Sequence, residues 1–135
     1  MGIPHSRIKN SHVLVVDDDR DTADSAALIL SSLGFQASPA YDAQTALQIA
    51  SVCPPEAVLL DAAMPGTSGF CLAQQLRQLP GMEEALLICI SGYGADEHFR
   101  QSRDAGCDYH FLKPVNWEQL VRVLDKRRIL TPAYA

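Results

Sequence analysis

The sequence has no apolar run long enough to cross a bilayer, and it has no excess of positive charge. Its 135 residues include 11 lysines and arginines against 16 aspartates and glutamates, a formal net charge of −5. A membrane-spanning helix needs about 20 apolar residues in succession, and a nucleic-acid-binding surface needs a basic patch. The segment Met1–Asn10 also lacks the apolar stretch of a signal peptide. We therefore expect a cytoplasmic protein that binds neither membrane nor nucleic acid.

No pair of cysteines has the spacing of a zinc site. The four cysteines, Cys53, Cys71, Cys89 and Cys107, lie at regular intervals of eighteen residues, but their sequence surroundings differ. We interpret the spacing as coincidence and expect reduced, mostly buried thiols. A chain of this length buries about two-thirds of its unfolded surface without disulfides or metals. We predict one domain over residues 11–127, an N-terminal extension over 1–10 and a C-terminal tail over 128–135.

What the sequence does contain is an alternation of two patterns. Continuous apolar runs over 13–16, 57–60, 86–90 and 109–112 predict parallel strands that are buried on both faces. The segment 35–39 predicts a further strand at a sheet edge, where Pro39 is tolerated. Five segments with apolar residues three or four positions apart predict helices between and after these strands. The alternation predicts a doubly wound α/β fold.

Several polar residues mark the predicted helix ends. Gly34 is expected to end the first helix, on whose buried face we place Leu33. Asp42, Ser68 and Asn116 are well placed as N-caps of later helices, because their side-chain oxygens can accept hydrogen bonds from free backbone N–H groups.

Chemically reactive side chains follow four of the predicted strands. The first strand ends in Asp17–Asp19, the third in Asp61, the fourth in Ser91 and the fifth in Lys113. In such a fold the carboxyl ends of the strands meet at one rim, where ligands bind. Crowded carboxylates favour a cation, and oxygen ligands suit Mg²⁺. With a lysine and a hydroxyl, they could stabilise a phosphoryl group in transfer, with a carboxylate as nucleophile.

Four motifs resemble the successive signatures of response-regulator receiver domains of two-component systems. They are Val-Leu-Val-Val-Asp-Asp-Asp, Val-Leu-Leu-Asp-Ala-Ala-Met-Pro-Gly, Ile-Ser-Gly-Tyr-Gly and Phe-Leu-Lys-Pro-Val, and they span nearly the whole chain in the family's order. The resemblance implies a flavodoxin-like fold with five helices and a five-stranded parallel sheet in the order 2-1-3-4-5. It also implies a signalling domain that catalyses only its own phosphorylation and dephosphorylation, and is not otherwise an enzyme.

The resemblance implies a role for each matching residue around the acidic cluster. Asp61 matches the phosphoacceptor, which receives its phosphoryl group from a phosphohistidine in a Mg²⁺-dependent reaction. Asp18 matches a direct Mg²⁺ ligand, and Asp17 matches a ligand that acts through water. Ala63 would supply a backbone carbonyl to the metal. The phosphohistidine would belong to a sensor histidine kinase or a histidine phosphotransfer protein.

The remaining matches concern the switch. Ser91 matches the switch hydroxyl, and Lys113 matches the lysine that contacts the phosphoryl group, with a cis bond to Pro114. His110 occupies the position of the family's switch aromatic, where it departs from the usual ring. The output would be a change on the face formed by helix 4, strand 5 and helix 5. His110 and Ser-Gly-Tyr-Gly resemble receivers of hybrid sensor kinases, so the domain could be part of such a chain.

Other interpretations of the same residues are weaker. Asp19 is expected only to begin a helix, and Asp17–Asp21 lacks the glycine and the closing glutamate of a calcium loop. Trp117 could belong to the core or to a contact surface. The main alternative function is a pseudo-receiver, which docks to proteins without phosphorylation. The presence of Asp18, Asp61 and Lys113 disfavours it.

Overall fold

The chain folds as five strands alternating with five helices. The computed structural model describes residues 12–64, 68–92 and 96–130, and for 96–99 and 127–130 it describes the backbone alone. The elements in chain order are β1 His12–Val16, α1 Arg20–Ser32, β2 Gln36–Ala40, α2 Ala43–Val52, β3 Ala57–Asp61, α3 Gly69–Arg77, β4 Leu86–Ser91, α4 Asp96–Asp104, β5 Tyr109–Leu112 and α5 Trp117–Leu130.

All neighbouring strands are parallel, and their order is β2-β1-β3-β4-β5. The predicted fold class and strand order are therefore confirmed. β2 lies at an edge with Pro39 in it, as predicted. The register sets Val16 opposite Leu60, and Asp61 opposite Ile90, so that the carboxyl ends of the central strands meet at one rim.

The sheet separates two apolar cores because successive strand residues point to opposite faces. Leu14, Leu60 and Leu87 pack on the face covered by α2 and α3, and this first core also includes Cys89. Val13, Leu59 and Ile88 pack on the face covered by α1 and α5, and they form the second core. Every residue of β3 and β4 is buried, which is the physical reason for their uninterrupted apolar sequence.

The predicted helix ends are largely confirmed. Asp42, Ser68 and Asn116 each accept a backbone N–H from the residue three positions on, at 2.7 to 3.2 Å. Gly34 adopts a φ of 97° just after α1, a conformation that favours glycine. The placement of Leu33 on the buried face is wrong. Leu33 caps the helix in a non-helical conformation and is 46% exposed.

Arg77, at the carboxyl end of α3, forms hydrogen bonds with two loops. One guanidinium nitrogen donates to the carbonyl of Ala85 at 2.7 Å, and the other donates to the carbonyl of Gly106 at 2.8 Å and to Asp108 Oδ2 at 3.0 Å. The same Asp108 oxygen accepts the backbone N–H of Leu87 at 2.9 Å. These bonds fix the turn that leads into β5. No sequence pattern predicted them.

The exposure of the cysteines and the end of α5 differ from what the sequence led us to expect. Cys53 and Cys71 are exposed, Cys89 is buried and Cys107 is half-buried, so the expectation of mostly buried thiols is wrong for the first two. α5 continues to Leu130, past the boundary that we predicted at residue 127. Within the described residues, no helix has the length and apolar character needed to cross a membrane.

Candidate functional site

Three carboxylates meet at the carboxyl rim of the sheet. Asp17 and Asp18 follow β1, and Asp61 ends β3, which is the direct neighbour of β1. One oxygen from each of the three lies within 4.8 Å of the others. Asp17 and Asp61 are buried, at 6% and 8% exposed, whereas Asp18 is open to solvent. The structure thus brings together the three acidic residues that the sequence singled out.

The pKa of Asp17 is affected by its burial and by the neighbouring carboxylates. Burial is the main cause that raises the pKa of Asp17 to about 6, and the charges of Asp61 and Asp18 raise it further. The N–H of Asp19, which donates to Asp17 Oδ1 at 3.0 Å, and the charge of Lys113 act in the opposite direction. A carboxyl group with a raised pKa stabilises the fold when protonated, and this contribution is lost as pH rises through about 6.

Lys113 supplies a positive charge to this cluster. Its Nζ lies 3.7 Å from Asp61 Oδ1, and its side chain is 41% exposed. The backbone N–H of Lys113 donates to the carbonyl of Ser91 at 2.8 Å, and the bond to Pro114 is cis, as predicted. The three carboxylates of Asp17, Asp18 and Asp61 face the single positive charge of Lys113. The set is therefore suited to hold a cation.

The backbone after β3 also reaches the carboxylate. The N–H of Ala63 donates to Asp61 Oδ1 at 3.1 Å, and the N–H of Ala62 donates to the carbonyl of Ile90 at 2.9 Å. These bonds fix the orientation of the Asp61 side chain and keep Ala63 beside it. Tyr93, the tyrosine of the Ile-Ser-Gly-Tyr-Gly motif, lies outside the described residues.

Ser91 and His110 are directly hydrogen-bonded. Ser91 Oγ and His110 Nε2 are 2.8 Å apart, across the adjacent strands β4 and β5. Ser91 is 1% exposed, and His110 is half-buried. The two residues for which the family resemblance implied a shared switching role are therefore in contact, although no sequence pattern predicts this bond.

Gly69 allows α3 to lie close to the backbone of Asp61 and Ala62, and no sequence pattern predicted this role. It begins α3, and a Cβ atom there would lie 2.4 Å from the carbonyl oxygen of Asp61 and 2.8 Å from the Cα of Ala62. Real contacts of this kind are never so short, so only glycine allows α3 to approach the end of β3 this closely. The N–H of Gly69 also donates to the carbonyl of Ala62 at 3.2 Å.

A cavity of about 450 Å³ adjoins the cluster between α1 and the start of α5. Its lining includes the polar residues Asp61 and Lys113 and the apolar residues Ile29 and Trp117. Trp117 also packs against the second core, which supports the first of the two roles that its sequence position left open, and the contact role stays a prediction. The cavity gives solvent and small molecules a route to the Asp61 side chain.

Comparison with known proteins identifies the family. The family described as response regulator receiver domain matches residues 13–125. The chain belongs to this family. Receiver domains are signalling domains of two-component systems, and the fold and function implied by the sequence motifs are confirmed at this level.

Curated relatives include a protein of similar length and longer proteins. An uncharacterised 14.6 kDa protein of Leptolyngbya boryana is 31% identical over 120 residues, which cover 89% of this receiver domain and 92% of that protein. Response regulator MprA of Mycolicibacterium vanbaalenii is 34% identical over 109 residues, covering 81% of this chain and 46% of MprA. The chain thus spans about half the length of this second relative. The narrower resemblance to hybrid-kinase receivers stays a prediction.

Solved structures support the same assignment. A CheY-like receiver domain from Methanospirillum hungatei JF-1 superposes with a TM-score of 0.80 at 27% identity, covering 88% of this chain and 94% of that one. Chemotaxis protein CheY4 of Vibrio cholerae superposes with a TM-score of 0.81 at 22% identity, covering 86% and 97%, and this likeness concerns the fold alone.

Proposed function

We propose that this receiver domain accepts a phosphoryl group on Asp61 from a phosphohistidine. The observation that carries the proposal is the position of the buried Asp61 carboxylate, 3.7 Å from the Lys113 ammonium and within 4.8 Å of Asp17 and Asp18. Phosphoryl transfer depends on positioning and on neutralising the charge of the phosphoryl oxygens. This geometry supplies the nucleophile, an ammonium group and a set of metal ligands at one point.

The chain's own residues perform most of the transfer. A carboxylate oxygen of Asp61 bonds to phosphorus while the donor's phosphorus–nitrogen bond breaks, and the electron pair of that bond stays on the imidazole. The N–H of Ala63 holds Asp61 Oδ1, and Lys113 can exchange its contact with that oxygen for one with a phosphoryl oxygen. Ser91, at the end of the neighbouring strand, would donate its hydroxyl to another phosphoryl oxygen.

The acidic cluster fits Mg²⁺. Asp18 and Asp61 would be direct ligands, Asp17 would act through water, and the backbone carbonyl of Ala63 would complete the protein's share. All are hard oxygen donors, and one oxygen from each of the three carboxylates lies within 4.8 Å of the others. When bound, the ion would neutralise the phosphoryl oxygens during transfer.

The proposal is tested by incubating the full chain with Mg²⁺ and a small phosphodonor such as acetyl phosphate. We expect one phosphate per chain by intact mass, sensitive to hydroxylamine as acyl phosphates are, and none after the metal is chelated. A chain that takes up no phosphate while it still binds a kinase or phosphotransfer protein would support the pseudo-receiver alternative instead.

We expect Mg²⁺ to raise thermal stability through Asp18 but independently of Asp19. A ligand at about ten times its Kd stabilises the native state by about 1.4 kcal/mol, which corresponds to a few degrees in Tm. Asp18→Ala should lose this increase. Asp19→Ala should lower Tm without Mg²⁺, because Asp19 caps α1 through the N–H of Asp21 at 3.1 Å, but should keep the increase.

Differential scanning calorimetry with and without Mg²⁺ measures both effects. The two neighbouring aspartates form a matched pair, since each variant removes one carboxylate from the same rim. An undiminished Mg²⁺ response in Asp18→Ala, or its loss in Asp19→Ala alone, would show that the ligand assignment is wrong.

We further propose that His110 takes part in the switch. If the phosphoryl group draws the Ser91 hydroxyl towards Asp61, the bond of 2.8 Å between Ser91 Oγ and His110 Nε2 has to break or follow that movement. We therefore expect beryllofluoride, a phosphoryl mimic, to change the ¹⁵N chemical shifts of the His110 ring. Lys113→Ala, which removes an anion-binding group, should reduce that change. Unaltered shifts at full beryllofluoride occupancy would remove His110 from the switch.

The remaining features of the proposal follow from the donor. A phosphohistidine is carried by a sensor histidine kinase or a histidine phosphotransfer protein, and we propose a cytoplasmic setting where such donors are formed. The domain would catalyse only its own phosphorylation and dephosphorylation, and the face of α4, β5 and α5 would carry the output. No nucleic-acid contact is part of this proposal, and the domain could equally belong to a hybrid kinase chain.

A further inference from the structure

The cavity between α1 and the start of α5 has the size of a small-molecule site. Its volume of about 450 Å³ falls within the range of about 300–1,000 Å³ that is usual for such sites. α1 contributes Thr22, Ser25 and Ala26 to its lining, and the sheet contributes Leu59 and Ile90. Because the side chains from α1 are short, they leave space that larger residues at these positions would fill.

The lining residues of α1 run from an acidic position to an apolar one. Asp21, Ser25 and Ile29 are four residues apart, so they lie along one face of the helix. At a rise of about 1.5 Å per residue, Asp21 and Ile29 are separated by about 12 Å along the helix axis. Asp21 belongs to the first turn, next to the rim of the sheet. The cavity is therefore charged near the rim and apolar further along α1.

Acidic charge predominates near the rim. Asp17, Asp21 and Asp61 line the cavity, and Lys113 is the one cationic side chain among the described lining residues. Lys113 Nζ lies 3.7 Å from Asp61 Oδ1, which leaves Asp17 and Asp21 without a cation of their own. Asp17 is 6% exposed, and among the described residues only its Oδ1 accepts a hydrogen bond, from the N–H of Asp19 at 3.0 Å. A buried carboxylate oxygen with no donor favours a ligand that brings a positively charged N–H group.

The amino end of α1 does not offer an anion site that would reverse this preference. The N–H groups of Asp21 and Thr22 both donate to Asp19 Oδ1, at 3.1 and 3.5 Å. The helix terminus is therefore already capped by a carboxylate, and an anionic ligand would face the charges of Asp17 and Asp21.

We propose that this cavity binds a small molecule that has an ammonium group and an apolar body. The ammonium group donates to the carboxylates of Asp17 and Asp21, and the body packs against Ile29 and Trp117, whose ring can also attract the cation. The inference goes beyond the proposed function and does not depend on it, since neither the binding nor its measurement requires phosphorylation of Asp61.

The test uses the fluorescence of Trp117, which is the only tryptophan in the sequence and lines the cavity. The full chain, free of divalent cations, is titrated with three probes of similar body and different charge: phenethylamine, phenethyl alcohol and hydrocinnamate. We expect a saturable change of fluorescence with phenethylamine and a Kd at least about tenfold lower than that of the alcohol, a difference that one favourable charge contact can supply. Hydrocinnamate should bind most weakly.

Two pairs of variants locate the binding. Ser25→Leu places a larger side chain in the cavity and should raise the Kd of phenethylamine by about tenfold or more, while leucine keeps the helix favourable. Ser31→Leu is its matched control, because Ser31 is exposed on the same helix and does not line the cavity. Asp21→Asn should raise the Kd of the amine about twofold to fivefold and leave that of the alcohol unchanged. Asp24→Asn, outside the lining, should change neither.

The absence of a saturable change with phenethylamine would overturn the proposal, and so would equal affinities for the amine and the alcohol. Tighter binding of hydrocinnamate would show that Lys113 selects the ligand and would overturn it too. A wild-type Kd in Ser25→Leu would place the amine elsewhere. Circular dichroism confirms the folding of each variant, and the comparison of the three probes on the wild type decides the matter if a variant fails to fold.

Discussion

Asp61→Asn is expected to abolish acyl phosphate formation while the domain stays folded. The amide has nearly the shape of the carboxylate and can still accept the N–H of Ala63, which lies 3.1 Å from Asp61 Oδ1. It is a poor nucleophile towards phosphorus, because it carries no negative charge and its nitrogen lone pair is delocalised into the carbonyl group. We expect the rate of phosphate incorporation from acetyl phosphate to fall by about a thousandfold or more, measured by intact mass over a time course.

The same substitution is expected to stabilise the metal-free protein at neutral pH. In the wild type the Asp61 carboxylate faces two negative charges, Asp17 and Asp18, and one positive charge, Lys113 at 3.7 Å. The Lys113 pair contributes at most about 1 kcal/mol because its side chain is partly exposed. Removing one of three crowded, mostly buried carboxylates outweighs that loss, and we expect a net gain of about 1 kcal/mol.

This gain should depend on pH in a defined direction. The pKa of Asp17 is raised to about 6, in part by the charge of Asp61. Below that pH Asp17 is protonated in the folded wild type and the repulsion is relieved, so the difference between wild type and Asp61→Asn should shrink as pH falls through about 6. Urea denaturation at pH 5 and pH 7 in the absence of divalent cations measures it.

Asp19→Asn is the matched control for this experiment, because asparagine also caps helices and Asp19 lies outside the cluster of three. It should keep the wild-type phosphorylation rate and show no pH-dependent gain in stability. Stoichiometric phosphate on Asp61→Asn at the wild-type rate would remove Asp61 from its role. A stability difference with the opposite sign would show that the Lys113 pair dominates the electrostatics of the cluster.

The fold could be predicted because each of its main elements is encoded locally. Uninterrupted apolar runs predict β3 and β4 because both of their faces are covered, and Pro39 marks the edge strand because it lacks a backbone donor. Leu33 was misplaced for a related reason. Helical spacing continues in the sequence past Ser32, but the backbone leaves the helix there, and spacing alone does not indicate where that happens.

The candidate site was predictable in composition but not in its contacts. Parallel topology gathers the strand ends, which is enough to bring Asp17, Asp61 and Lys113 together. The bond between Ser91 and His110 depends on the register of β4 and β5. Register follows from packing between distant segments, so no local pattern in the sequence encodes this bond.

Gly69→Ala is expected to have the largest effect on stability, and to slow phosphorylation as well. The φ of Gly69 is not positive, so the added methyl group causes no backbone strain of its own. The cost comes from the overlap with the carbonyl oxygen of Asp61 at 2.4 Å and the Cα of Ala62 at 2.8 Å, both of which are backbone atoms. Alanine favours a helix over glycine by up to about 1 kcal/mol, which does not compensate for an overlap of this size.

We expect Gly69→Ala to lose about 2–4 kcal/mol of stability, by analogy with overpacked cores, and to phosphorylate Asp61 at least about tenfold more slowly, since small displacements of a reacting group are costly. Gly92→Ala is the matched control, because a Cβ at Gly92 meets no atom within 4 Å although it directly follows Ser91. Urea denaturation and acetyl phosphate labelling of both variants provide the measurement. Equal behaviour of the two variants would mean that α3 can move away from β3 without disturbing Asp61, and that the position of the phosphoacceptor does not depend on a glycine at the start of α3.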